Sequence, residues 1–315
     1  MRLAALFAFI MFVIPVWASE EIADQYPQSA LYSKPVEVIP NVWTSTGATG
    51  PPTYENTGHN NNLNFIVTGE GVVVINAGAA YILAEALHDE IKKITDQPVV
   101  LVINENGQGH AMLGNSYWAD QGVPILAHIE AYNEIKENGD FTLQGSWRYN
   151  KEKAEGTRVV LPTETFEDIK VIEMGDFRIE VLYLGPAHSP GDVQVWLPEQ
   201  KLVFSGDIAF HERLLPIFAD TIILDWIDTW ENGFEKLGAV YVIPGHGHPT
   251  NMDQVRRYTR DYLVYLRGKI RDHIDNGGDL SDAYYVDQSP YAHLDTFEEL
   301  ATRNAGRVYE QMEWE

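Results

Sequence analysis

The 315-residue chain contains no cysteine. Disulfides, thiolate metal sites and cysteine nucleophiles are therefore excluded. Positive charge is also scarce: 22 lysines and arginines face 46 acidic residues, giving a formal net charge of −24. A surface of that sign repels phosphate backbones and argues against nucleic acid as a partner. Internal repeats and low-complexity tracts are absent. Long apolar runs are missing except at the N-terminus, where "MRLAALFAFIMFVIPVWASEE" reads as a secretory signal: Arg2 supplies the positive start, Leu3 to Val16 the apolar region, and Val16-Trp17-Ala18 a small-residue cleavage site. That run is short for a membrane span. The expectation is a signal peptide over 1–18 and a single exported domain over 19–315, periplasmic or secreted. No membrane contact is expected after cleavage, and the oligomeric state is left open.

Hydrophobic residues make up 45% of the chain, ample for a core. Short apolar runs alternate with amphipathic stretches. "VEVIPNVWTS" (36–45) reads as a strand pair, and "NLNFIVTGEGVVVINAG" (62–78) as two strands around Gly69-Glu70-Gly71. Residues 80–95 carry helical spacing and "PVVLVIN" (98–104) follows as a buried strand, an order that implies parallel pairing. Residues 129–158 read as helices and a loop. Strands return at "RVVLP", "DIKVIEM", "FRIEVLYLG", "DVQVWLP" and "KLVFSGD"; 224–237 is helical, and "AVYVIPG" (239–245) is the last strand. One long helix is expected over 252–276, opening a helical C-terminal tail over about 252–315. The whole reads as an α/β fold of two halves whose sheets pack face to face, with helices outside.

Four polar positions follow predicted strands, where α/β scaffolds place their sites. They lie in the 104–110 turn, at His188 in "LGPAHSPGD", at Asp207 in "FSGDIAF" and at His246 in "PGHGHP". Each comes with glycine or proline, as a tight turn presenting a side chain requires. Histidine and carboxylate are the common non-thiolate ligands of zinc and related metals.

These motifs together resemble the metallo-β-lactamase superfamily over nearly the whole mature length. Ile75-Asn76-Ala77-Gly78 stands where that family has Ile-Asp-Thr-Gly. "PVVLVINENGQGHAMLGN" resembles the strand and turn that carry His-x-His-x-Asp-His before Gly-Asn, and the three later motifs resemble its remaining ligand turns. The C-terminal "RNAGRVYEQMEWE" is most similar to an exported branch associated with sulfur-oxidation and quinoprotein systems. The resemblance implies a four-layer αβ/βα sandwich with two mixed sheets. It also implies two metals, and here the chain departs from the pattern. Aligned on Gly114-Asn115, the two expected histidines are Asn106 and Gln108, the aspartate is His110 and the last histidine is Ala111. Sliding His110 onto the last histidine puts glycines at other ligand positions and spoils the Gly-Asn match.

Two cations about 3.5–4 Å apart need anionic ligands to offset their repulsion, and only Asp207 among the matched positions supplies charge. One divalent metal is the expectation, zinc first and iron as the alternative, with no metal at all in a non-catalytic relative. His110, Asp207 and His246 would hold it. His188 would be a fourth ligand or a substrate contact, and Asp207 and His110 would be central to catalysis. Three protein ligands and water is the arrangement of catalytic zinc. Asn106, Gln108 and His59, the last in a loop this fold places over its site, are candidate substrate contacts. Glu105, next to the turn, reads as a solvated loop carboxylate, with a base or ligand as the alternative, and Trp226 and Trp230 read as packing. Gly107 and Gly109 read as positions of close backbone approach or positive φ. Lys201 or Arg213 would assist an anionic substrate.

Three functions compete: a hydrolase activating water against an ester, thioester or amide of a small molecule; a non-catalytic binder of a small molecule or protein in the same cleft; and a mononuclear iron oxidoreductase. β-Lactam hydrolysis is disfavoured, because the resemblance implies for it a cysteine ligand or an intact first motif.

Overall fold

A computed structural model describes residues 25–315, so the signal-peptide reading lies outside the described residues. Two sheets form the frame. The seven-stranded sheet runs in chain order through β1 (Val36–Ile39), β2 (Val42–Ser45), β3 (Leu63–Val67), β4 (Val72–Ile75), β5 (Val99–Ile103), β6 (Ile125–His128) and β7 (Glu164–Phe166). Its first four strands pair antiparallel and β4 to β7 pair parallel. The change of direction follows from connection length: the β3–β4 link is a tight turn, whereas α1 (Tyr81–Ile94) crosses between β4 and β5. Short helices α2 (Gly109–Met112) and α3 (Asn115–Asp120) link β5 to β6, and α4 (Ile129–Asn150) leads on toward β7.

The second sheet holds β8 (Ile169–Met174), β9 (Phe177–Leu182), β10 (Gln194–Leu197), β11 (Leu202–Phe210) and β12 (Tyr241–His246), in the order β12-β11-β10-β9-β8. Helix α5 (Ile223–Asn232) crosses from β11 to the parallel β12; α6 (Met252–Tyr258), α7 (Arg260–Asp275), α8 (Leu280–Ala283) and α9 (Phe297–Met312) follow. No described helix is long and apolar enough to cross a membrane.

Three apolar layers weld four structural ones. Val42, Ile66, Val73 and Ile103 of the first sheet meet Ile179, Val195, Phe204 and Ile243 of the second. Leu83, Leu87 and Ile91 of α1 cover the first sheet's outer face around Phe65 and Val74. Trp226 and Trp230 of α5, with Leu263, Leu266 and Val308 of α7 and α9, cover the second around Val203 and Val242. Trp226 and Trp230 are fully buried, in agreement with the packing role expected for them.

Some local expectations fail for identifiable reasons. "RVVLP" forms no strand: the Val160 carbonyl accepts from Asn115 Nδ2 (3.1 Å) and Val159 fills the gap at Gly139 of α4, so this backbone serves side chains instead of a ladder. Residues 129–150 form one 22-residue helix, because Gly139 packs against Val159 instead of breaking it. The expected helix over 252–276 breaks at Thr259, whose buried hydroxyl accepts from the Phe210 amide (2.9 Å) at the end of β11.

Candidate metal centre

The four ligand candidates arrive from both sheets. β5 ends at Ile103, and the chain turns through Glu105 and Asn106 into α2, which carries His110 in its first turn. Asp207 lies within β11, His246 ends β12, and His188 sits in the loop after β9. β11 and β12 are parallel neighbours, and the packing between Asp207 and the turn of His246 leaves no room: a Cβ at Gly245 would lie 2.2 Å from Asp207 Oδ1. Only glycine fits there.

His110 Nε2 is 3.3 Å from Asp207 Oδ2, and His246 Nε2 is 3.3 Å from Asp207 Oδ1. Ligand atoms of these three residues all lie within 4.8 Å of one another. His188 Nε2 stands farther off, 3.9 Å from Asp207 Oδ2, and does not join that tight group. Although buried, His110 Nε2 and Asp207 Oδ1 have no hydrogen-bond partner. Buried polar atoms are almost always satisfied, so ligand atoms from three elements that converge without forming well-aligned hydrogen bonds fit a cation between them.

Surrounding groups fix the rings. His246 Nδ1 is bonded to the Asn60 carbonyl, which leaves Nε2 turned to Asp207, and its ring stacks on Phe210 (5.0 Å, 9°). An outer partner on the other nitrogen is the usual way a ligating histidine is oriented. Asn62 Nδ2 donates to the Pro244 and Gly247 carbonyls (2.8 and 2.7 Å) and clamps the same turn. The His188 ring packs among Phe218, Trp226 and Phe210 (4.9, 5.5 and 5.6 Å).

Glu105 departs from its solvated reading. It is 2% exposed, not solvated, and its Oε1 lies 3.5 Å from His110 Nε2 without a hydrogen-bond partner. His110 thus stands between two buried carboxylates. Burial disfavours its charge, but Asp207 and Glu105 together raise its pKa to about 10. Burial pushes Glu105 up, as does Asp207. For Asp207 burial is outweighed by His246 and His110, which hold it well below the usual carboxylate range. Burial lowers His188 to about 4 and lowers His246 as well.

Asn106 explains what became of the first motif. It is fully buried, and its Nδ2 donates to Asp192 Oδ1 (3.1 Å) and lies 3.5 Å from Asp207 Oδ2. Asp192 also accepts from the Ser189 amide (2.6 Å) and hydroxyl (2.8 Å), and burial followed by Asp207 raises its pKa well above normal. An amide committed to two carboxylates is no second-metal ligand, so the donor set fits one cation and not two.

A cleft of about 530 Å³ opens over the centre, with His110, His188, Asp207 and His246 in its wall. Gln108 lines it; Asn106 and His59 do not. His59 is fully buried and accepts from the Tyr32 amide (2.8 Å), with burial lowering its pKa to about 4, so it supports the loop and does not reach the cleft. Arg213 lines the cleft, 6% exposed, whereas Lys201 lies in the hairpin turn before β11, outside it. Close approach accounts for both glycines of the turn, since a Cβ at Gly107 would meet Glu134 Oε2 at 2.6 Å and one at Gly109 would meet Thr142 Cγ2 at 2.8 Å; neither has positive φ.

Sequence reasoning missed Asn62 and Asp192, and misjudged the burial of Glu105. The signals were present: a carboxylate directly after a buried strand, the run "HNNN", and the acid closing "HSPGD".

Known proteins fit this geometry. A family model described as metallo-beta-lactamase superfamily matches residues 112–261, beginning just past the altered turn. The chain is 24% identical over 193 residues to the metallo-beta-lactamase type 2 of Bacteroides fragilis, covering 58% of this chain and 70% of that protein. It is 29% identical over 109 residues to the human acyl-coenzyme A thioesterase MBLAC2, spanning 34% of this chain and only 39% of that enzyme. A solved metallo-beta-lactamase from Pontibacter korlensis superposes with a TM-score of 0.61 at 23% identity, over 73% of this chain and 98% of that one. With two packed mixed sheets and outer helices, the chain has the metallo-β-lactamase fold, and the metallo-beta-lactamase superfamily model matches its residues 112–261.

Proposed function

We propose that the protein is an exported metal-dependent hydrolase that works with a single divalent cation held by His110, Asp207 and His246. The observation that carries this reading is the convergence of those three side chains with His110 Nε2 and Asp207 Oδ1 buried and unsatisfied. The match to the superfamily model supports a metal-dependent, hydrolase-like function at the coarse level. Zinc is the first choice because two imidazoles and one carboxylate with an open position suit it; iron(II) accepts the same set.

A cation there would polarise a carbonyl and lower the pKa of water to about 7. The chain's own groups set up the rest. Asp207 supplies the negative charge that holds the two imidazoles together, and the Asn60 carbonyl keeps His246 Nε2 turned inward. Glu105 places a second carboxylate beside His110, which favours cation over anion in the cage. Arg213, buried in the cleft wall with Nη1 3.4 Å from the Gly50 carbonyl and from His246 Nδ1, is positioned beside the ligand cluster to meet an anionic group of the substrate. An ester or thioester is the substrate class we favour, in keeping with the thioesterase among the similar proteins.

Elemental analysis of protein purified without chelator tests the reading. About one equivalent of a transition metal is expected, falling at least tenfold in affinity in His110→Ala. Less than a tenth of an equivalent in the wild type would leave only a non-catalytic binder, the reading that the amide-filled first motif favours.

A further inference from the structure

Two of the chain's helical glycines have open space in front of them. A Cβ built on Gly145 of α4 or on Gly268 of α7 meets no heavy atom within 4 Å. Glycine inside a helix costs about 0.5–1 kcal/mol relative to alanine, so each raises the question of why it is there. Gly139, also in α4, is explained by packing, since its Cβ would lie 2.7 Å from Val159. Gly268 faces solvent. Gly145 faces the cleft: it lines the cavity together with Thr142, Ser146 and Tyr149 of the same helix. The space its missing side chain leaves is the interior of the substrate cavity.

What that space suits follows from the walls. Pro51, Pro52, Pro216, Phe218 and Leu300 contribute apolar surface, and α4 contributes Thr142, Ser146, Arg148 and Tyr149. Asp207 is the only carboxylate in the lining, and it lies at the cluster. Apolar walls of this kind stabilise a hydrocarbon segment by removing it from water.

We propose that Gly145 is a specificity-determining residue: the cleft receives the unbranched apolar chain of an acyl substrate, and the absence of a side chain at 145 sets how long that chain can be. The proposal rests on the reading of the site as a hydrolase of esters or thioesters, and it concerns binding of the acyl part and not the metal. The carboxyl end lies toward Arg213 and the ligand cluster, and the chain runs past Gly145 between α4 and the Phe218–Leu300 side.

Binding to metal-free full-length protein separates this idea from the metal hypothesis. The probes are butanoate, hexanoate and octanoate, titrated by calorimetry. Wild-type affinity should rise about three- to fourfold per added methylene, the increment for burial of a CH₂ group. Gly145→Leu should weaken octanoate at least tenfold and leave butanoate within twofold. Gly145→Ala should weaken octanoate less than Gly145→Leu does, and Thr142→Leu, one turn away on the same face, should reproduce the length cut-off. Gly268→Leu is the control for helix propensity and should change no affinity. The proposal is overturned if wild-type affinity is independent of chain length, or if Gly145→Leu binds octanoate as wild type does. Absence of bound metal in wild-type protein purified without chelator, measured before the metal is stripped for these titrations, would defeat the hydrolase reading alone.

Discussion

The turn after β5 and the turn after β12 face each other across one centre, yet they hold their histidines by opposite means. His246 is fixed by packing: glycines on both sides allow the backbone to close, Phe210 stacks on the ring, and the Asn60 carbonyl sets its tautomer. His110 has only an edge contact with the His246 ring (5.5 Å) and no stacked partner; its Nε2 sits between Glu105 and Asp207 and is held chiefly by charge. A ring positioned by packing stays in place when the charge around it changes, whereas one positioned by carboxylates does not. The first turn has also put its amides to another use, since Asn106 ties Asp192 to Asp207 and Asn104 bonds Asn115 and the Ala111 carbonyl. It has become a brace for the carboxylates, with a single ligand added at its end.

Asp207→Asn breaks this arrangement most severely. It removes the anion shared by both imidazoles and leaves His110 and the buried His246 facing a neutral amide. Metal content of the purified variant should fall below a tenth of an equivalent, with a circular dichroism spectrum still that of the folded protein. Any hydrolase activity should fall by about 10³-fold or more, given that a metal supplies several kcal/mol of transition-state stabilisation. Near-full occupancy in the variant would mean that the cation is held elsewhere.

The loop that braces His246 gives the next largest effect, read as a pH dependence. His59 is buried neutral, its pKa lowered from 6.5 to about 4 by desolvation. The folded state therefore binds fewer protons here than the unfolded state between pH 6.5 and 4. Stability from this group is fully present above about pH 6.5, falls as the pH drops toward 4, and is gone below that. The difference amounts to about 3 kcal/mol. Urea unfolding of metal-free protein between pH 4 and 7 should show that slope on top of the contributions of other groups, and His59→Gln should reduce it. An unchanged slope in the variant would show that His59 titrates normally.

The architecture was legible from strand and helix periodicity, because the alternation of buried runs and amphipathic helices is a property of individual segments. So were His188, Asp207 and His246, each marked by the glycine or proline of a tight turn. The altered turn was legible only in part. Its missing ligands could be read directly, and so could the substitution at His110. What Asn106 and Glu105 do instead could not, because their partners, Asp192 and Asp207 for one and His110 and Gly206 for the other, depend on how β10 and β11 lie against the end of β5. A buried carboxylate and a solvated one look alike in sequence when the groups that bury it are a hundred residues away. The break at Thr259 was hidden for the same reason: nothing local marks a threonine whose hydroxyl is taken by a strand end.

Asn106→Ala sharpens the comparison with the smallest change. If the amide were a metal ligand, occupancy would fall while fold stability changed little. If it is the brace described above, the outcome reverses. Asp192 Oδ1 would retain only the Ser189 hydroxyl, and the separation of the two buried carboxylates would lose its donor. Removing one partner of a buried polar pair costs about 1–3 kcal/mol, and truncating the side chain inside a packed turn adds to that. Metal stoichiometry should stay near one equivalent, because His110, Asp207 and His246 keep their positions. Urea unfolding and elemental analysis on one preparation decide between the two: lower stability with full metal assigns Asn106 to the carboxylates, and full stability with lost metal assigns it to the cation. The first result would mean that the turn after β5 works as a support, stabilising the acids around the single cation.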